Sequence, residues 1–152
     1  SIYELCTEYN VPVIFHTGIL VATLGGLLKY SHPLNIDEMA ARFPKLNIII
    51  AHMGNPWLMD CAAVMSRNKN VYADCSGYFK EFSPIEMEEE EFFREQMKQF
   101  RLFVGDFKRV LFGSDWPIYS QKEYLKAVQS LPLTEEEREL VFYKNAQNLF
   151  HL

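Results

Sequence analysis

Val11-Pro12-Val13-Ile14-Phe15-His16-Thr17-Gly18 is an apolar run that closes on a histidine, a threonine and a glycine, and its reading decides the fold. A short stretch rich in β-branched and aromatic residues, bounded by turn formers, predicts a buried strand. Ahead of it, Ile2, Leu5, Cys6 and Tyr9 fall at helical spacing until Asn10 stops the pattern. The chain therefore reads as opening on an uncapped helix already under way, and a native region is expected ahead of Ser1.

Outward from this run the same theme repeats. Further strand-like runs occur at Asn47 to His52, Val71 to Cys75 and Val110 to Gly113, each followed by a loop and a helical pattern. Capping-box spacing marks helix starts at Asn35 with Glu38, Ser83 with Glu86, Ser120 with Glu123 and Thr134 with Glu137. Pro56 and Pro84 suit a first helical position, and Pro44 and Gly105 mark helix ends. Four strands alternating with helices predict right-handed βα units, a parallel sheet and a single α/β domain over residues 1–152. The longest helix is expected at about Pro84 to Val104. Its acidic opening, Glu86 and Glu88 to Glu91, reads as a solvated first turn, and Phe92, Phe93, Met97, Phe100 and Val104 read as its buried face.

Composition narrows the functions. Hydrophobic residues make up 49% of the 152, enough for a real core. With 15 Lys and Arg against 20 Asp and Glu, net charge −5, the chain lacks the cationic face a nucleic-acid backbone requires. No apolar run is long enough to span a bilayer, and no secretory pattern opens the chain. Cys6, Cys61 and Cys75 are odd in number and widely spaced, which predicts reduced packing residues and a cytoplasmic setting.

Chemistry gathers where strands end in parallel α/β folds. Here the four runs end on His16-Thr17-Gly18, His52-Met53-Gly54, Asp74-Cys75-Ser76-Gly77 and Gly113-Ser114-Asp115-Trp116-Pro117. By strand alternation His16 shares a face with Ile14, His52 with Ile48 and Ile50, and Asp115 with Leu111 and Gly113. If those faces line a barrel interior, two imidazoles and a carboxylate converge as a ligand set for a divalent metal. Singly each has a plainer reading: a histidine at a strand end is more often a hydrogen-bonded core residue, and an Asp after a strand is usually a turn or cap. The joint placement of His16, His52 and Asp115, in a chain with 4 His, favours metal or catalytic chemistry. His32 and His151 lack that placement and read as surface residues. Asp74 reads as a loop cap, with support of a ligand as the alternative, while Trp116 and Phe79 read as packing aromatics.

Pro12 to Gly18, Ile48-Ile49-Ile50-Ala51-His52-Met53-Gly54, Val71-Tyr72-Ala73-Asp74, Leu111 to Pro117 and the closing Asn145-Ala146-Gln147-Asn148-Leu149-Phe150 resemble, in order and spacing, the amidohydrolase-related family of metal-dependent TIM-barrel hydrolases and decarboxylases. The resemblance covers nearly the whole chain and matches strands five to eight of a (β/α)8 barrel, so it implies a C-terminal half-barrel. It further implies that His16 and Asp115 are metal ligands, Asp115 also orienting water, and that His52 is an acid/base group. Zinc is the metal it implies first, with manganese as the alternative. The family's His-x-His motif of the first strand is absent from this sequence.

The resemblance implies a small-molecule substrate, carboxylated or lactone-like, attacked by metal-activated water, or else decarboxylated on the same metal. A metal-free half-barrel acting as an assembly module is the alternative from another class. A flavodoxin-like phosphate-binding domain ranks last, because Gly25-Gly26 does not closely follow a strand. Four strands leave two open edges and an apolar inner face, so a homo-oligomer, or pairing with an N-terminal half, is expected.

Overall fold

The computed structural model describes residues 1–20 and 25–152, and in it the four apolar runs become one parallel sheet in the order β1-β2-β3-β4. The strands are shorter than the runs that announce them: β1 Val13–Phe15, β2 Ile48–Ile50, β3 Val71–Asp74 and β4 Val110–Leu111. Register aligns Val13, Ile48 and Val71 across the sheet, then Ile14, Ile49 and Tyr72, then Phe15, Ile50, Ala73 and Val110. The helices are α1 Ile2–Glu8, α2 Asn35–Arg42, α3 Leu58–Arg67, α4 Met87–Val104, α5 Gln121–Gln129, α6 Glu135–Glu139 and α7 Asn145–Phe150. A π-helical turn, Leu140–Lys144, joins the last two. None of the helices among the described residues is long and apolar enough to cross a membrane.

Alternation along the strands gives the sheet two unlike faces. Ile48, Ile50, Val71, Ala73 and Val110 bury themselves in the main core with Leu58, Cys61, Met65, Phe93, Met97 and Phe100 from α3 and α4. On the opposite face Ile49 and Leu111 form a smaller cluster with Leu149 of α7, against which Tyr72 and Ala146 pack. Thus α7 covers part of the inner face that a half-barrel leaves open, while Ile14 on β1 remains 59% exposed.

Three polar side chains tie the chain together around the starts of the strands. Arg109 donates one guanidinium nitrogen to the carbonyls of Met65, Asn68 and Val71 at 2.8, 2.9 and 2.8 Å. Asn70 donates to Ala40, Phe43 and Leu46, and buried Asn145 donates to Phe107 and Val110. Each gathers carbonyls from neighbouring segments onto one side chain, some of which, such as those of Phe43, Asn68 and Phe107, also accept a backbone amide.

Several local expectations change. Ser1 caps α1, accepting from the Glu4 amide in a capping box, so that helix is not uncapped. Of the residues at helical spacing, Cys6 packs on the core together with Tyr3, while Ile2, Leu5 and Tyr9 are exposed. Asn35 makes no cap; its amide donates to the Lys29 carbonyl. The box expected at Ser83 and Glu86 forms one turn later, at Glu86 and Glu89, so Pro84 precedes the helix, and Pro56 likewise lies before α3. Phe92 is exposed on α4, where Phe93, Met97 and Phe100 alone are buried. The box at Thr134 and Glu137, the Ser120 cap and the stops at Phe43 and Gly105 stand as expected. Cys61 and Cys75 are buried free thiols whose pKa burial pushes up, to about 12 for Cys75, which makes them unreactive packing groups.

Candidate active site

Past their last paired residues the four strands are laced to one another through their loops. The Thr17 hydroxyl, next to β1, donates to the Ala51 carbonyl beyond β2 at 2.6 Å. The Ile19 amide donates to the Asn55 carbonyl at 2.9 Å, and the Asn55 side chain donates to the Gly77 carbonyl beyond β3. Gly18 is needed in this weave: at φ 96° a Cβ there would lie 2.5 Å from the Asn55 carbonyl oxygen.

The loops surround a cavity of about 300 Å³ lined by His16, Thr17, His52, Asn55, Glu81, Asp115 and Tyr119, with Ile19, Leu20, Gly77 and Ile118. His16 and His52 meet edge to face there, ring centroids 5.1 Å apart. The three residues singled out in the sequence therefore border one cavity at the strand ends. Strict alternation does not explain how His52 gets there. Ile48 and Ile50 face the helices, and an extended strand would carry His52 to that side with them. The backbone turns left-handed at His52 (φ 61°) and Met53 (φ 49°), which brings the imidazole back to the cavity. Asp115 is left-handed too, at φ 56°.

Asp74 holds this turn. Its Oδ1 accepts from the His52 amide at 3.1 Å, from the Ser76 amide at 3.0 Å and from the Ser76 hydroxyl. It thus caps its own loop and ties the neighbouring histidine at once. The Ser76 oxygen stands 2.8 Å from Nδ1 of His52. Gly77 closes against the same ring: a Cβ there would meet Nδ1 at 2.5 Å.

His16 keeps contact with solvent, yet its imidazole is held below the ordinary value of 6.5, first by lost hydration and then by repulsion from His52, with Asp115 opposing. The neutral ring is the form that ligates a metal. Tyr119 is raised to about 12 by burial, and its hydroxyl donates to the Phe79 carbonyl at 2.7 Å, so it serves as cavity wall. Two imidazoles and a carboxylate suit a divalent metal, but they form only part of a shell. Among the described residues, no group of three or more His, Cys, Asp or Glu stands close enough to hold an ion alone.

The other residues weighed in the sequence fall outside. His32 is partly buried rather than superficial, its ring tilted against Trp57 with centroids 4.7 Å apart, and its Nδ1 accepts from the Leu34 amide. His151 is exposed and bonds Asn10. Phe79 packs against Phe93 and Tyr124, whereas Trp116 is 68% exposed and does not pack as expected. Sequence reasoning did not find Asn55, Ser76, Glu81 or Tyr119. Ser76 and Gly77 directly follow a strand end, which is a usable signal; Glu81 and Tyr119 sit well inside loops and give none.

A family model described as Amidohydrolase matches residues 1–152. Among solved structures, the chain is similar to an uncharacterised TIM-barrel protein from Bordetella bronchiseptica, at 26% identity and TM-score 0.75, covering 99% of this chain and 49% of that one. It is also similar to a dihydroxybenzoic acid decarboxylase from Polaromonas with bound manganese and the inhibitor 2-nitroresorcinol (19%, TM-score 0.70, 99% and 52%). A third is an amidohydrolase from Burkholderia multivorans with bound zinc (17%, TM-score 0.72, 97% and 55%). The chain spans about half the length of these proteins and has the fold of half a TIM barrel. Among curated proteins nothing matches it.

The lowered pKa of His16 gives a pH dependence whose sign is fixed. The unfolded chain binds the His16 proton near 6.5 and the folded chain binds it less tightly, so this residue's contribution to stability falls as pH drops through 6.5. In an NMR titration the His16 ring protons should show a midpoint below 6.5; a midpoint at or above it contradicts the electrostatics described here.

Proposed function

We infer from one premise, that this chain belongs to the amidohydrolase family, that it carries half of the active site of a metal-dependent hydrolase. The observation that carries the reading is the shared cavity of His16, His52 and Asp115, reached from three different strands. His16 and Asp115 are the proposed metal ligands, with zinc as the ion and manganese as its alternative. A divalent metal supplies a Lewis acid that lowers the pKa of a coordinated water. The chain's own groups do the rest. Asp115 orients the attacking water by accepting its hydrogen bond, and His52 gives or takes the proton of the reacting group. A cavity of about 300 Å³ suits a small substrate, which we take to be carboxylated or lactone-like. Decarboxylation is the second reading, favoured by a decarboxylase among the structures that share the fold.

The remaining ligands and the other wall of the cavity have to come from elsewhere, and we propose that they come from an N-terminal barrel half. The face that would meet it is the free edge of β1 with its surroundings, where Val11, Ile14, Leu5 and Tyr9 are 51, 59, 51 and 72% exposed. An unpaired parallel edge flanked by apolar side chains favours association. Without a first half the chain should pair with itself, acting meanwhile only as an inactive module.

In the full-length enzyme Asp115→Asn should abolish turnover with the unfolding midpoint unchanged, whereas His52→Asn should lower kcat by about 10²-fold or more and leave metal content intact. Parent-level activity in Asp115→Asn, with metal bound, makes that carboxylate structural. The chain alone should sediment at micromolar concentration as a dimer or larger; a well-folded monomer contradicts the open-edge account.

A further inference from the structure

We propose that Ser76 and Asp74 are positioning residues that fix His52 as one tautomer, proton on Nδ1, with the Nε2 lone pair left free on the ring that borders the cavity. The available protons decide the tautomer. A carboxylate accepts and never donates, and a serine hydroxyl has one proton and two lone pairs. Asp74 Oδ1 takes the His52 amide, the Ser76 amide and the Ser76 hydroxyl. The single proton of Ser76 is therefore spent on the carboxylate. At the 2.8 Å contact between Ser76 Oγ and His52 Nδ1, the serine offers only a lone pair, so the ring nitrogen donates. In a neutral imidazole the other nitrogen is then unprotonated.

The surroundings leave the ring little alternative. Ser76 is 4% exposed, so water does not readily replace either of its bonds. Gly77 lies so near Nδ1 that even a Cβ would be at 2.5 Å, and the ring is closed in on that side. The same carboxylate oxygen that orders Ser76 also anchors the His52 amide, so backbone and ring are fixed from one atom. The relay runs Asp74 to Ser76 to His52, and it delivers a lone pair rather than an N–H to the cavity.

Assigning this relay a part in catalysis rests on the acid/base reading of His52; the tautomer itself does not. The test is long-range ¹H–¹⁵N correlation of the histidine rings in the 152-residue chain, without substrate or metal, at a pH where His52 is neutral. The expected spectrum has His52 Nδ1 in the protonated range and Nε2 in the unprotonated range. Ser76→Ala should lose that pattern in favour of Nε2–H or an averaged mixture, and Ser76→Thr should restore it. A wild-type His52 protonated on Nε2 overturns the proposal outright, so the result does not depend on whether any variant folds. An unchanged tautomer in folded Ser76→Ala also overturns it. Neither outcome touches the hydrolase reading, which stands or falls on turnover in Asp115→Asn.

Discussion

The left-handed turn at His52 and Met53 is the constraint on which the site depends. Without it the alternation that buries Ile48 and Ile50 against the helices would carry His52 to the same side, away from His16. A non-glycine residue in that conformation costs about 1–2 kcal/mol. The bonds gathered by Asp74 offset this cost, because the carboxylate holds the His52 amide and the following loop of its own strand together. Asp115 enters the cavity through a similar left-handed residue. Two of the three groups therefore arrive by a turn just beyond a strand, not by the strand itself, and that places them where loops can still shape the cavity.

The two ends of the sheet divide the work. Around the strand starts, one guanidinium nitrogen of Arg109 and the side-chain amides of Asn70 and Asn145 donate to backbone carbonyls, which fixes the sheet against the helices and α7 against β4. Beyond the strand ends, the hydrogen bonds run from loop to loop and leave His16, His52 and Asp115 bordering a cavity. A rigid floor with chemistry at the carboxyl ends is the general arrangement of parallel α/β folds. The apolar contacts follow the same division, with the large core between sheet and helices and a small one under α7.

The fold was legible because apolar runs with β-branched residues announce buried strands regardless of the rest of the chain. All four strands and their parallel order follow from Val11 to His16, Asn47 to His52, Val71 to Cys75 and Val110 to Gly113. Helix caps were less legible. Asn35 and Ser83 have suitable side chains, but the Lys29 carbonyl draws the Asn35 side chain away and α2 goes without a side-chain cap, while Glu86 takes the capping role at α4. The grouping of His16, His52 and Asp115 was readable from their places at strand ends, yet alternation was the wrong route for His52, since no local pattern announces its left-handed backbone. Ser76 and Glu81 gain their roles from partners or walls far along the chain, which spacing does not encode. Helical spacing joins Ile2, Leu5, Cys6 and Tyr9, but of these only Cys6 packs on the core, and spacing alone does not tell which face of a short helix is buried.

Whether these groups share one divalent ion is tested most directly by paramagnetic broadening. Manganese(II) added in small increments to the ¹⁵N-labelled chain relaxes nearby nuclei even when binding is weak, as a partial shell requires. The account predicts selective loss of the His16 and His52 ring signals and of the Asp115 amide, with the signals of His32 and His151 persisting, and reversal on adding excess zinc. Equal broadening of all four histidines, or selective broadening that spares His16 and Asp115, would contradict it.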